Sequence, residues 1–393
     1  MAVFDHQFGI VEEATYGTPL TVTRFYEVMA GGGFSTEPRA VRSMGLRAGR
    51  ATMSADMSVR GRPTVAGSFQ HDPQTKGFGL LAKMLFGAVS TTGPTNAKYT
   101  HTFTVAEPSK FTAQQGTGRP TAATKPFTAT GCKITQGTFA GTVGELVSFS
   151  FDVDARVGWG SASLTGTTST TSNVVTMAST AGVVLDMPVT SANTPAGSIV
   201  GSVINNTSIT VINASTRAAV NGSSAGSVTL TFGTTLATAA YPASTEPFMV
   251  DNISVTVAGA TVCAGGFELA VNPNLKTDRE KMCNFGLKDE PLRAGLGTYT
   301  VKLTGITYDS DTLVDRIVAA TAAGAQAQIV ITAHGVADPA ATLTFTLPAC
   351  EFTGAFPTMD EGLVEFDLEA DVLQPAAGTS PITVAYVTAD TTP

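Results

Sequence analysis

The side chains best suited to metal ligation or nucleophilic chemistry are four histidines (His6, His71, His101, His334) and four cysteines (Cys132, Cys263, Cys283, Cys350). Tens of residues separate the cysteines, with no CxxC pair of the kind a zinc site uses. None of the histidines falls in a His-Glu-x-x-His spacing, so each reads as structural or exposed. No phosphate loop of the Walker type is present, and Gly31-Gly32-Gly33 lacks the strand-to-helix context of a dinucleotide fingerprint. That cluster reads as a turn or bulge. Asp309-Ser310-Asp311-Thr312-Leu313 opens like a calcium loop but has no oxygen ligand at the fifth position and no glycine at the sixth. Helix capping accounts for it better. The sequence therefore predicts no catalytic residue, no metal and no cofactor, and the protein reads as a non-enzyme. Four cysteines in so long a chain make no disulfide framework and read as reduced, mostly buried small side chains.

Charged groups are more informative. Val364, Phe366, Leu368, Ala370 and Val372 alternate with Glu365, Asp367, Glu369 and Asp371. A strand sends successive side chains to opposite faces, so this segment has one apolar face and one face of carboxylates. Earlier, Val147, Phe149, Phe151 and Val153 alternate with Ser148, Ser150, Asp152 and Asp154 in the same way. One reading is the solvent face of a half-exposed antiparallel sheet. The other is a channel wall that repels a polyanion. DNA carries about one charge per 1.7 Å of axis and is gripped by basic surfaces, whereas an acidic wall repels it over about 8 Å at physiological salt.

Arg39, Arg42, Arg47, Arg50, Arg60 and Arg62 crowd a segment opposed locally only by Glu37 and Asp56. It has no strong helical or strand period and reads as a long loop between strands, which in a compact domain is usually functional. The loop could bind phosphate or dock on acidic groups of a neighbouring subunit. Interleaved aromatics expected of a single-strand binder are missing, which favours docking.

The elements that hold these groups repeat. Phe127 to Ala155 matches Leu343 to Val372: Cys132 with Cys350, Thr135 with Thr353, Phe139 with Phe356, Leu146-Val147 with Leu363-Val364, Phe149 with Phe366, and Asp152 and Asp154 with Glu369 and Asp371. Upstream, Arg39 to Arg47 resembles Arg279 to Lys288, and Arg60 to Phe69 lines up with Arg293 to Lys302. Each copy then has one helix-like stretch: Gly77 to Gly87, with Leu80, Leu81, Met84 and Leu85, and Ser310 to Gly324, with Leu313, Ile317 and Val318 on one face. The strand-like runs Tyr99 to Val105 and Ala327 to Ala333 follow in turn. Between the copies, Gly160 to Ala240 carries only Asp186 and Arg217 as charges and Phe232 as aromatic. Its Val/Ile runs between turn signals predict short strands, hence a small inserted β-sandwich or barrel. The expected organisation is 1–159, a first β unit; 160–243, the insert; 244–374, a second β unit; and 375–393, a Pro- and Thr-rich extended arm.

Bulk properties agree with a mainly β chain of two or three domains. Of 393 residues, 43% are hydrophobic and only 14% charged, with 40 glycines. A net charge of −8 disfavours a phosphate-gripping surface. No apolar run reaches the roughly 18 residues of a membrane span. The N-terminal stretch lacks the basic start and apolar core of a signal peptide, which predicts a product that stays in the cytoplasm of the cell that makes it until it is assembled and released.

Gly9 to Val28, Phe78 to Val105, Gly131 to Ile134 and Val271 to Glu280, in that order, resemble the tail tube proteins of long-tailed bacteriophages. The similarity covers both repeated units, about three-quarters of the chain by this reading. It implies two tandem β-sandwich or barrel units, each with one flanking helix, and a structural subunit of the virion tail. Six units would close a ring, and rings would stack into a hollow conduit for double-stranded DNA. Two units per chain favour a homotrimer of pseudo-sixfold symmetry over a hexamer of whole chains. The resemblance further implies tape-measure and tail-terminator partners and no membrane. Asp152, Asp154, Glu365, Asp367, Glu369 and Asp371 would face the lumen, and Arg39, Arg42, Arg47, Arg50, Arg279, Lys288 and Arg293 would contact the adjacent ring. The alternative is a surface adhesin or carbohydrate-binding protein, for which Trp159 and seven scattered tyrosines offer few stacking platforms.

Overall fold

The computed structural model describes residues 5–393 except 38, 46–51, 53–56, 62, 120–121, 283–285, 309–310, 320–325, 354–356 and 358–363. Strands dominate, as expected from period-2 alternation, and the ladders are antiparallel throughout. The first unit contains β1 (Gln7–Glu12), β2 (Arg24–Tyr26), β3 (Gly33–Glu37), the hairpin β4 (Ala40–Arg42) and β5 (Ser58–Arg60), and β6 (Thr64–His71). Helix α1 (Gly79–Phe86) follows, then the hairpin β7 (Gly87–Thr95) and β8 (Lys98–Val105), then β9 (Phe111–Arg119), β10 (Ala122–Thr142), β11 (Ser148–Ala155) and β12 (Val157–Trp159).

The long strand β10 changes sheet along its length. Its first half lies between β9 and β12, its second between β11 and β21 (Gly266–Asn272). The bend falls at Gly131, whose φ is 60° and where a Cβ would meet Tyr16 and Arg156 below 3 Å. Only glycine fits there. Over the bend sits the buried Glu13, whose carboxylate accepts hydrogen bonds from the amides of Gly17 (2.6 Å) and Gly131 (2.9 Å) and from the Thr112 hydroxyl (2.7 Å). Burial raises its pKa against those three donors. The run β2-β1-β9-β10-β11-β6 closes on itself through the Val28–His71 bridge and the Met29 amide on the Gln70 carbonyl (2.8 Å).

The insert comprises β13 (Ala162–Thr168), β14 (Val174–Met177), β15 (Val189–Thr190), β16 (Ser198–Asn205), β17 (Ser208–Asn213) and β18 (Gly226–Phe232), in the order β15-β18-β13-β14-β17-β16. Its edges meet at the Pro188–Ile199 bridge. It has a core of its own, around Val200, Ile209, Leu230 and Phe232, to which Trp159 also contributes.

After the insert come β19 (Ile253–Val257), β20 (Ala260–Val262), β21, the short pair β22 (Leu275–Lys276) and β23 (Leu292–Arg293), and β24 (Thr298–Thr307). Helix α2 (Asp311–Ile317), β25 (Gln326–His334), β26 (Thr342–Phe352), β27 (Glu365–Val372) and β28 (Thr383–Thr388) complete the chain. The ladders repeat those of the first unit. β26 lies between β25 and β28 over its first part and turns to β27 at Cys350, as β10 lies between β9 and β12 and turns to β11 after Cys132. β24 joins β21 and β27 as β6 joins β3 and β11. The Gly265 amide on the Thr304 carbonyl (2.7 Å) repeats the first unit's closing bond.

Four expectations need correction. The run Tyr99 to Val105 does not correspond to Ala327 to Ala333; the counterpart of β25 is β9, and β8 is an additional strand laid beside β28. The upstream alignment slips by one residue: Ser68 faces Asp152 as Lys302 faces Glu369, so Ser68, not Phe69, matches Lys302. A one-residue slip exchanges faces, and Phe69 is buried. In α2 the buried contact is Val314, whereas Val318 lies beyond the helix and is exposed. Finally, the C-terminal segment is no free arm. β28 pairs with β26 on one side and β8 on the other, and Ile382, Val384 and Tyr386 are fully buried.

The two units share one core. Phe8, Phe69 and Phe151 pack together, with Phe8 and Phe69 centroids 4.3 Å apart, and Phe149 stacks on Phe139 at 4.3 Å. Phe139 then meets Phe345 of the second unit at 4.8 Å. Such contacts add about 0.5–1.5 kcal/mol each to area burial. His71, at the barrel seam, lies against Tyr26 and Phe78. Burial holds its pKa below the ordinary 6.5, against the Glu27 carbonyl 2.8 Å from Nδ1.

Two outcomes follow from this packing. Removing residues 382–393 opens the slot between β8 and β26 and strips three buried side chains from the shared core, so the truncated chain should lose its cooperative thermal transition by circular dichroism. Because the folded pKa of His71 is depressed, its stabilisation is present above about pH 6.5 and is lost as pH falls through the folded value. The stability gap between wild type and His71→Gln, followed by urea denaturation, should therefore narrow as pH falls below 6.5.

Candidate functional site

The alternation of apolar and polar residues builds one wet face on the sheet β3-β6-β11-β10-β21-β24-β27. On β27, Glu365, Asp367, Glu369 and Asp371 are all exposed while Phe366, Leu368, Ala370 and Val372 are buried. Asp152 is exposed on β11 and Glu268, which the sequence reading passed over, is exposed on β21. Lys302 of β24 stands among them, its Nζ 3.0 Å from Asp367 and 3.1 Å from Glu369. Those two contacts raise its pKa, so the amine stays charged. The face remains net acidic.

Asp154 has the parity of this face but does not share its environment. It is buried, with the Lys288 Nζ 2.5 Å from its carboxylate. Burial outweighs that contact and lifts the carboxyl above its ordinary range. Lys288 comes from the long excursion between β21 and β24, which leans back over the first unit. From the same excursion, the Glu290 carboxylate (3.0 Å) and the Pro291 carbonyl (2.8 Å) reach the Nζ of the fully buried Lys133, which Glu107 also holds at 2.9 Å. Lys133 therefore seals the junction of the two units. Its sequence signal was a lone lysine in the apolar Gly131 to Ile134 run.

The cations assigned to ring stacking divide. Arg39 is exposed and pairs with Glu280 at 2.5 Å; Arg42 is exposed. Arg47 and Arg50 lie outside the described residues. Arg279 donates to the Glu290 carbonyl, Arg293 to the Ala106 carbonyl at 2.6 Å, and Lys288 to Asp154. The second excursion thus uses its cations within the chain, and the geometry gives Asp154 and Lys288 to the junction between units. Exposed apolar side chains decorate this excursion, at Met282 and Leu296, and its counterpart between β3 and β6, at Val41, Met44 and Val59.

Among the described residues no group of three or more His, Cys, Asp or Glu side chains could hold a metal. Cys132 and Cys350 are buried and their thiol pKa values are pushed up by burial, to about 12 for Cys350, which makes them poor nucleophiles. No helix among the described residues is long and apolar enough to cross a membrane.

A family model described as phage tail tube protein matches residues 4–223, more than half of the chain. No curated protein sequence matches it.

Removing one partner of a buried ion pair strands the other charge. Lys288→Ala should therefore lower the unfolding free energy by about 3 kcal/mol in urea denaturation, whereas the double change Asp154→Asn with Lys288→Gln should cost markedly less.

Proposed function

Because the chain belongs to the phage tail tube protein family, a structural family of the virion tail, we propose that it self-assembles into stacked rings whose bore conducts double-stranded DNA during ejection. The observation that carries this reading is an unequal pair of sheet edges. Strand β21 is paired on both sides, by β24 and by β10 of the first unit. Its counterpart β3 has the same place in the first unit but among the described residues has one strand neighbour, β6, with the Gln115 side chain accepting from the Phe34 amide on the other side. An open edge invites another strand, and the chain already contains the template for covering it: the first unit's β10 on the second unit's β21. The equivalent stretch of a second copy, which follows β26 in its second unit, lies almost wholly outside the described residues and enters on sequence alone.

Repeating that junction gives a cyclic, head-to-tail interface that closes when the rotation fits. With the units taken as 1–159 and 244–374, three chains make six units, and a trimeric ring is preferred to a hexamer of whole chains. The wet face carrying Asp152, Glu365, Asp367, Glu369 and Asp371 would line the bore, where repulsion keeps the duplex from adhering to the wall. The insert of 160–243 would project outward. Arg42, with Arg47 and Arg50, would reach a neighbouring subunit, while Arg39 is held within the chain by Glu280. Tape-measure and tail-terminator proteins are the partners such a tube requires, no cofactor is needed, and assembly takes place in the host cytoplasm before release in the virion.

Purified protein should form hollow tubes in negative stain, with three chains per ring by mass. Orientation is checked with single cysteines in a background where Cys263 and Cys283 are serine. In assembled tubes, Asp367→Cys should react with a small maleimide but not with one carrying a bulky polymer, while Ser223→Cys reacts with both. Equal reaction of both sites with the bulky reagent would exclude a luminal Asp367.

A further inference from the structure

The two units present corners of the same geometry and different charge. In the first unit, Lys133 of β10 and Asp154 of β11 stand directly opposite across the ladder. Both are covered by the second unit's excursion, through Lys288 on Asp154 and Glu290 on Lys133. At the equivalent position of the second unit, Glu351 of β26 stands opposite Asp371 of β27. Two carboxylates directly opposite destabilise a ladder unless a cation lies between them. Asp371 is exposed and Glu351 half-buried, and neither has an ion-pair or side-chain hydrogen-bond partner among the described residues.

The excursions differ to match. The one covering the mixed Lys133–Asp154 corner is itself mixed, with Arg279, Lys281 and Lys288 against Glu280, Asp289 and Glu290. The first unit's excursion, between β3 and β6, is dominated by arginine. Gly286-Leu287-Lys288, which delivers the cation to Asp154, has its sequence counterpart in Gly45-Leu46-Arg47. Arg47 lies outside the described residues and enters on sequence alone.

We propose that the Glu351–Asp371 pair is the acceptor for the arginine-rich excursion of a second copy of this chain, occupied between chains as Lys133–Asp154 is occupied within one. The inference rests on the tube reading and specifies its junction. It also moves Asp371 from the bore to the interface, as the structure does for Asp154. The two corners then act as different keys. An excursion of the second kind would set Glu290 against Glu351 and Asp371, and such like-charge contacts reject the wrong neighbour. First and second units must alternate around the ring, so a ring closes only on whole chains.

The test uses full-length protein and three variants, followed by sedimentation velocity and negative stain. Wild type should assemble. Glu351→Lys with Asp371→Lys should raise the concentration needed for assembly by about tenfold or more, with an unchanged thermal transition. Adding Arg42→Glu and Arg47→Glu to the same chain should restore assembly. Glu268→Lys with Asp152→Lys, the same charge change on the wet face away from the corner, should assemble as wild type does. The inference is overturned if the lysine pair assembles at the wild-type concentration, or if the reversed arginines do not restore it. A wild-type chain that stays monomeric overturns the tube reading, and the inference with it.

Discussion

Backbone amides buried in a sheet need partners along their whole length, and β10 meets that need by serving two sheets. Up to Gly131 its partners are β9 and β12; beyond the bend they are β11 and β21. The bend closes the first barrel, turns the aromatic row of Phe139, Phe149 and Phe151 inward, and offers the outer edge on which the second unit is built. Glu13 guards it from above by pinning the Gly131 amide. β26 likewise turns from β25 and β28 to β27 at Cys350, so one local solution to hydrogen bonding recurs in both halves.

What the sequence makes legible is parity. Phe149, Phe151, Phe366 and Leu368 alternate with polar residues, and their burial follows directly. Parity states which way a side chain points, not what lies above it. Asp154 is on the polar side of β11, yet a lysine 134 residues away covers it. Nothing local to Asp154 encodes that. The same limit explains β8: its alternation looks as good as that of β25, and only the identity of its partner, β28, separates the two. In β28 the signal was present, with Ile382, Val384 and Tyr386 at period 2, but Pro375, Pro381 and Pro393 around it read as an extended arm. Lys133 was hidden for the opposite reason, since a lysine is normally exposed unless paired, and its partners come from two distant loops.

Charge is distributed with the same economy. Oppositely charged residues are concentrated where the units touch, at Lys133, Asp154, Lys288, Glu290, Arg39 and Glu280. Between those contacts the wet sheet face is Ser-, Thr- and Gln-rich with scattered carboxylates and Lys302. Buried ion pairs contribute little net stability and much specificity when one arrangement satisfies them and others do not.

The position of β28 also orders events in time. It is made after every other described strand of the sheet, yet it occupies an interior slot between β8, synthesised long before, and β26. Until it emerges, the sheet has two unpaired borders facing each other across a gap, and the shared aromatic core is open to water at Phe78 and Phe103. A growing chain therefore passes through a stage in which most of the polypeptide exists but the barrel cannot shut. Large β proteins are most prone to cross-association at such stages.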